Sequence, residues 1–263
     1  MKWNTNRIIK VVSAVAWCSA AIVFFMGASA AIEDKSRHQI KKVDYHLTHL
    51  TDGNDLITVD EIKKKVLALY KLDLVGVEID HLDLQALEET LRKEPFIVEA
   101  DAYIDSREVL HVEISQRTPV LRVMGLDGSN YYLDLEGIHL PLSRHFTARV
   151  PVISGRVSEF KPEFLKNRNS LRTAYNIVKD ARTDEFLNAW LEGIYVHSDD
   201  ELWLTGNVGD FKVIFGDDQK MDEKIKKMKG FFKHGLKITG WKNIESINLK
   251  YEKQVITKSP TKV

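Results

Sequence analysis

The sequence predicts an α+β protein with one N-terminal transmembrane helix, a small mixed domain, and a larger domain of mainly antiparallel sheet with flanking helices. Three observations predict this class. Residues 11–32 form an uncharged apolar segment. The next stretch orders its patterns as strand, helix, helix, strand, strand. The remainder alternates short β-like runs with two helical patterns, which is typical of sheets with helices on one side.

The composition is that of an ordinary globular protein. Of 263 residues, 44% are hydrophobic and 29% are charged. The 38 basic and 38 acidic residues cancel, so nucleic acid is not an expected partner. The single cysteine, Cys18, lies in the apolar segment. This position excludes an intramolecular disulfide, a thiolate zinc cluster and a thiol active site from the rest of the chain.

The apolar segment decides the compartment. As a helix, residues 11–32 would span about 33 Å, which is enough for a bilayer core of about 30 Å. Basic residues precede the segment, so the positive-inside bias leaves residues 1–10 in the cytoplasm and exports the rest. The alternative is a signal peptide cleaved near Ala30, after small residues. The apolar run is longer than the usual core of about 7 to 15 residues, which favours a retained anchor.

Residues 38–116 predict the small domain. A strand is expected at 40–47, and two helices follow with Thr58 and Asp83 as N-caps. Alternation in IVEADAYI and VLHVEISQR predicts two further strands. The expected inward residues are Ile62, Val66 and Leu69 in the first helix; Leu84, Leu87 and Leu91 in the second; and Val98, Ala100, Ala102, Ile104, Leu110, Val112 and Ile114 in the strands.

Residues 117–258 predict the larger domain. Short β-like runs separated by glycine turns precede a helix at 164–179, and three strands follow in LEGIYVH, ELWLTG and FKVIFG. A second helix at 219–234 has apolar residues at helical spacing, so its lysines are expected to face solvent. The stretch INLKYEKQVITK then predicts a final strand pair. Residues 259–263 are expected to be a disordered tail.

Several stretches resemble those of FtsQ, which is called DivIB in Gram-positive bacteria. PFIVEADAYI resembles the entry into the second strand of the family's POTRA domain, and LHVEISQRTPVLRV resembles the domain junction that ends in Glu-x-x-Pro. YYLDLEGIHLPL, VPVISG and INLKY resemble the family's paired strands, proline loop and late Asp-Leu-Arg-Tyr strand. The chain departs from the pattern at Gln116, Leu121, Asn248 and Lys250. Lysine lacks the forked contact that arginine makes with a carboxylate.

The resemblance implies a POTRA domain at 38–116 and an FtsQ-type β domain at 117–258. It implies a non-enzymatic scaffold of the bacterial divisome in the inner membrane, at the division septum. The implied partners are bitopic proteins of the FtsB and FtsL type, through which septal peptidoglycan synthesis is regulated. Other divisome membrane proteins are expected to meet the POTRA domain. The family's late strand carries the partner site, which corresponds to Lys250 and Tyr251 here.

The residues themselves predict no catalytic, metal or cofactor site. His46 and His49 would point to opposite faces of a strand, and no Gly-x-Ser-x-Gly, phosphate loop or HExxH motif is present. The acidic SDDE at 198–201 is typical of a hairpin connection. An exported hydrolase or binding protein, released near Ala30, is the alternative function, but no convergent nucleophile and base support it.

Strand position adds the last candidates for partner binding. Val255, Ile256 and Thr257 lie on the final strand, where a partner's extended segment could pair by strand addition. Trp241 precedes this region in a Gly-Trp-Lys-Asn loop and is a candidate exposed contact. The alternative is that lysines merely blunt an unpaired edge against aggregation.

Overall fold

The computed structural model describes residues 17–24, 26, 38–198 and 201–260. Contacts divide the chain into two compact units: residues up to Thr48 with Thr58–Ser115, and His49–Ile57 with Gln116 onward. Residues 17–24 and 26 are helical. Within the described residues, no helix combines the length and apolarity needed to cross a bilayer. Most of the expected anchor at 11–32 lies outside the described residues, and it remains a prediction.

The first unit has the predicted order of strand, helix, helix, strand, strand. Its sheet runs β1-β3-β2, with β1 parallel to β3. Leu87, Leu91, Leu110 and Val112 are fully buried in its core. The elements are β1 (Lys42–Thr48), α1 (Val59–Tyr70), α2 (Leu84–Arg92), β2 (Ile97–Ile104) and β3 (Val109–Gln116).

Both helix starts are fixed by the predicted caps. The Thr58 hydroxyl accepts from the Glu61 N–H at 3.3 Å, and the Glu61 carboxylate accepts from the Thr58 N–H at 3.2 Å, which completes a capping box. The Asp83 carboxylate accepts from the Ala86 N–H at 2.9 Å. These bonds satisfy N–H groups that have no partner within the helix, so the local sequence sets both helix starts.

Two of the expected inward residues are exposed. Leu69 stands one residue before the end of α1, and Lys71 ends that helix in a left-handed conformation. In β2, Ile97 and Ala100 are buried while Val98 is exposed, so the inward face does not follow strict alternation. Both errors lie close to the end of an element, where periodicity is a poor guide to burial.

The second unit is built on a nine-stranded sheet in the order β12-β11-β10-β9-β8-β7-β4-β5-β6. Helices α3 and α4 contact β8. The strands are β4 (Pro119–Gly125), β5 (Asn130–Asp134), β6 (His139–Leu140), β7 (Val152–Gly155), β8 (Leu191–Ser198), β9 (Glu201–Gly206), β10 (Lys212–Gly216), β11 (Ser246–Asn248) and β12 (Ile256–Lys258). The helices are α3 (Ser170–Ala181), α4 (Glu185–Trp190), α5 (Met221–Gly230) and α6 (Leu236–Thr239).

In the part of the chain that the structure describes, this sheet is mixed: five strand pairings are antiparallel, in line with the expected majority, and three are parallel. Among the described residues, β7 is parallel to both β4 and β8, and β10 is parallel to β11. The connections explain this: α3 and α4 cross from β7 to β8, and α5 and α6 cross from β10 to β11. Parallel neighbours need such crossovers. The expected β8–β9 hairpin is confirmed by the pairing of Ser198 with Glu201.

The helices begin later than the sequence pattern suggested. The helix expected at 164–179 starts at Ser170, because Asn169 caps it by accepting from the Arg172 N–H at 2.8 Å. Leu165 therefore lies outside the helix and is exposed. The helix expected at 219–234 is α5, followed by a π-helical turn at Phe231–Gly235.

Candidate partner-binding edge

The last strand of the chain forms one edge of the large sheet. β12 pairs with β11 and has no neighbour on its other side among the described residues. The Leu249 N–H donates to the Ile214 carbonyl of β10 at 3.0 Å, and the Lys258 carbonyl accepts from the Glu245 N–H at 2.7 Å. Backbone groups of successive strand residues alternate between the two sides. Lys258 therefore faces β11, and Thr257 turns its N–H and C=O towards the open edge.

This alternation assigns different roles to neighbouring backbone groups. Ile256 lies opposite Asn248 and Thr257 lies opposite Ile247. Ile256 lies two residues before Lys258, so its N–H and C=O also face β11 and help to hold β12 in the sheet. The group that is free to meet an added strand belongs to Thr257.

The turn between β11 and β12 begins with an asparagine. The Asn248 side-chain oxygen accepts from the Lys250 N–H at 3.0 Å, as an aspartate would at this position. Lys253 adopts a left-handed backbone with φ of 57°. Asn248 stands where the family has an aspartate, but its side-chain oxygen still accepts the first hydrogen bond of the turn.

Helix α5 holds this turn from the side. The Lys227 ammonium donates to the carbonyls of Leu249 at 2.8 Å and Tyr251 at 2.6 Å. The Glu223 carboxylate accepts from the Lys253 N–H at 3.2 Å. Only 13% of the Lys227 side chain is exposed. These bonds make α5 the support on which the turn before the edge strand rests.

The expectation that the lysines of this helix all face solvent is therefore wrong. Lys224 is buried beside Met228, and its ammonium donates to the Asp217 carboxylate at 2.8 Å and carbonyl at 3.0 Å. Burial raises the pKa of Asp217, but the bond and charge of Lys224 outweigh it and hold that pKa below its ordinary value. The signal in the sequence was that Lys224 and Met228 are four residues apart, on one helical face.

These groups line a charged cavity of about 340 Å³ beside the turn. Lys220 forms an ion pair with Glu252 at its mouth. Lys250 also reaches the cavity, and its ammonium lies 3.5 Å from the Glu201 carboxylate. A hydrogen bond from Trp203, together with the Lys250 charge, lowers the pKa of Glu201. A carboxylate on a partner would compete with Glu201 for the Lys250 ammonium.

The candidate residues differ in their exposure. Tyr251, Ile256 and Thr257 are exposed, and 42% of the Lys250 side chain is exposed. Val255 is partly buried and packs against the core. The structure brings these five residues together in the segment from the turn to β12. Sequence reasoning missed Lys227, which lies on α5 and holds the start of that segment by its bonds to the Leu249 and Tyr251 carbonyls.

Trp241 lies elsewhere and is not the exposed residue that its loop suggested. Its ring packs 5.9 Å from Phe211 and 6.2 Å from Phe232, measured between ring centroids. It is partly buried against the core. A glycine before it and polar residues after it suggested exposure, but the π-helical turn places Phe232 beside it. Its role in partner binding remains a prediction.

The start of the second unit contains Gln116, a further departure from the family pattern. The Gln116 side chain is buried; its oxygen accepts from the Leu56 N–H at 2.7 Å, and its nitrogen donates to the Asp55 carboxylate at 2.7 Å. A glutamate could accept the first bond, but its ionised carboxylate could not donate the second. Gln116 lacks the charge of the family's glutamate, but its side-chain N–H group can donate to the Asp55 carboxylate.

The paired-strand motif that follows is built around a buried aspartate. The Asp134 carboxylate accepts from the Ile138 N–H at 2.7 Å and from the Arg117 guanidinium at 2.8 Å. Gly137 takes φ of 77°, which closes the turn between β5 and β6. The aspartate and glycine of YYLDLEG are thus required by the hairpin itself.

Comparison with known families agrees with this architecture. A POTRA-like domain matches residues 41–115, and the model described as FtsQ/DivIB, C-terminal related, matches residues 118–258. The second match covers more than half of the 263 residues. No curated protein gives a significant match to the chain. Its two domains and the fold of each place the chain in the FtsQ/DivIB C-terminal related family, with a POTRA-like domain before the family's own.

Proposed function

We propose that the chain is a non-enzymatic, membrane-anchored scaffold of the bacterial divisome. Residues 11–32 anchor it in the inner membrane, and its two domains lie outside the cytoplasm at the septum. There it binds bitopic partners of the FtsB and FtsL type and helps to regulate septal peptidoglycan synthesis. Membership in an FtsQ/DivIB-related family supports a division-related role in the envelope; the anchor, the septal location and these partners belong to the proposal.

The observation that carries the proposal is the open edge at β12. An extended partner segment adds to this edge, and its backbone pairs with the outward N–H and C=O of Thr257. Side chains of Tyr251 and Ile256 are exposed beside it and contact the partner. Lys250 supplies the charge that selects a partner carboxylate, without the bidentate geometry of an arginine.

The alternative of a merely blunted edge depends on exposed charge along β12. Lys258 is its clearest blunting residue, but its ammonium lies 2.8 Å from the Glu245 carboxylate of the same unit. This ion pair is exposed, so it offsets the charge only in part. Lys253 belongs to the turn and not to β12. The binding test below therefore decides between pairing and blunting.

The test removes the outward donor and leaves the pairing with β11 intact. Thr257→Pro deletes the N–H and adds a ring at the open edge. Thr257→Ala is the matched control, because it changes the exposed side chain and keeps the backbone donor. We expect the proline variant to weaken binding of detergent-solubilised chain to an FtsB–FtsL complex by about tenfold or more, and the alanine variant to bind nearly normally.

Circular dichroism and thermal unfolding of both variants establish that the fold is kept. A folded Thr257→Pro protein that binds the complex as tightly as wild type would refute strand addition at this edge. Ile256→Pro serves as a second comparison, since its N–H faces β11 and its loss should lower stability as well as binding.

The competing function, an exported hydrolase or binding protein released by cleavage, makes a different prediction. Fractionation of cells that express the full chain should recover it from the inner membrane only with detergent. A soluble mature form that begins near Ala31 contradicts the anchor and with it the scaffold.

A further inference from the structure

An exposed apolar patch lies on the first unit, whereas the candidate edge belongs to the second. Leu67 at the end of α1 and Leu72 and Val75 after it are 47 to 52% exposed. With Val43 and Tyr45 of β1 they line a depression of about 370 Å³. The rim is formed by Lys41, Lys42 and Lys63, whose side chains are 55 to 70% exposed, and by Asp73. The three lysines form exposed ion pairs with Glu108, Asp44 and Asp60, respectively.

This patch, defined by Leu67, Leu72 and Val75, lies beside the point where the described chain resumes at His38. The Gly76 N–H donates to the Ile40 carbonyl at 2.7 Å, and the Ile40 N–H donates to the Val77 carbonyl at 2.9 Å. Val75 is therefore one residue from a direct bond to Ile40. Only five residues, 33–37, separate the expected end of the anchor from His38. They reach at most about 18 Å.

The charge of the unit is divided unequally. The residues that contribute the patch, 38–48 and 58–77, contain six lysines and four acidic residues. Residues 78–115 contain three basic and eleven acidic residues. These values, +2 and −8, are charges of two stretches of sequence and not of two sides of the unit, because Glu108 of the second stretch pairs with Lys41 on the rim. Exposed ion pairs are weak, so lipid phosphates can compete with the carboxylates for the rim lysines.

We propose that this patch rests on the anionic lipid surface of the membrane that holds the chain's own anchor. The three apolar side chains enter the headgroup region, and the rim lysines meet lipid phosphates. The proposal rests on the anchor of the proposed function, because the short link to His38 keeps the patch near the bilayer.

The test places a polarity-sensitive fluorophore in the patch of the full-length chain in lipid nanodiscs. Cys18→Ser removes the native thiol, and Leu72→Cys then accepts an NBD label. The matched control is Tyr103→Cys, an equally exposed position on β2 in the acidic part of the sequence. Nanodiscs contain phosphatidylcholine with or without phosphatidylglycerol, and headgroup-level doxyl lipid serves as quencher.

We expect the label at position 72 to shift to the blue and to be quenched several-fold more than the label at 103, with the largest effect when phosphatidylglycerol is present. Each lysine near an anionic surface changes partitioning about fivefold, so Lys63→Gln on the rim should reduce the quenched fraction accordingly. Equal quenching at 72 and 103, or no dependence on lipid charge, overturns the proposal. So does a label at 72 that stays polar until a protein partner is added.

Failure of the anchor gives a separate result. A chain that does not co-elute with nanodiscs contradicts the anchor, and the same labelled chain is then mixed with phosphatidylglycerol vesicles. Flotation with quenching at 72 still supports the lipid-binding patch, and no flotation overturns it.

Discussion

Lys227 offers the sharpest test of how the candidate edge is held in place. Its ammonium bonds to the carbonyls of Leu249 and Tyr251, on either side of Lys250. We expect Lys227→Met to keep most of the packing of the aliphatic stem on α5 and to remove both bonds. The turn should then open more often, and β12 should leave the sheet with it, while the rest of the unit stays folded.

The magnitude follows from the burial of the two bonds. A hydrogen bond that involves a charged group contributes about 1.5 to 3 kcal/mol when it is shielded. The bond to Leu249 is partly buried, whereas the bond to Tyr251 is exposed and contributes less. A loss of about 2 kcal/mol corresponds to roughly 30-fold more frequent opening of the turn.

Hydrogen exchange of the amides in β11 and β12 measures this opening directly. Lys226→Met is the matched control, since Lys226 is its exposed neighbour on the same helix. The control should leave exchange of the Ser246 and Lys258 amides unchanged. Equal exchange in both variants, or a uniform increase across the whole unit, would refute the view that Lys227 supports the edge specifically.

Three further predictions concern buried groups. Gln116→Glu places a second carboxylate against Asp55 and should cost about 1 to 3 kcal/mol of unfolding free energy at neutral pH, less in acid, as measured by urea unfolding. Burial, with a smaller effect of a nearby carboxylate, raises the pKa of Tyr131 to about 12. The stabilisation that comes from burying the neutral phenol should be complete below pH 10.0, the ordinary pKa, and lost as the pH rises through 12. The Tyr131→Phe variant should not show this loss of stability at alkaline pH when unfolding is measured as a function of pH. Asp217→Asn should cost roughly 2 kcal/mol by weakening the bonds from Lys224 and Arg168. The pKa of Asp217 is lowered in the folded protein. Wild type should therefore exceed the variant in stability by the full amount above pH 3.8, the ordinary pKa, and this difference should disappear as the pH falls through the folded pKa.

Features that depend on neighbouring residues could be predicted from the sequence. The caps at Thr58 and Asp83 bond within three residues, so their geometry follows from local composition. The alternation of Leu110 and Val112 fixed the inward face of β3 in the same way. These predictions of the helix caps and of the inward face of β3 did not require knowing which other elements pack against them.

Features that depend on distant residues could not be predicted. Parallel pairing of β7 with β8 depends on a crossover through α3 and α4, and the sequence of neither strand indicates this direction of pairing. The orientation of Thr257 follows from its partner strand, although the existence of the edge was visible in the alternation. A lysine pattern cannot distinguish Lys227, which bonds to a turn 22 residues away, from Lys226, which faces solvent.

The division of the chain into units has a consequence for the order in which it folds. Residues 49–57 belong to the second unit, although the first unit continues after them to Ser115. The Leu56 backbone donates to Gln116 and accepts from the Ser143 hydroxyl at 2.6 Å. During synthesis these two bonds of Leu56 cannot form until residues 116 and 143 have emerged. A fragment cut at residue 118, where the family match begins, would lack both Leu56 and Gln116, so the folding unit is larger than the stretch of sequence by which the family is recognised.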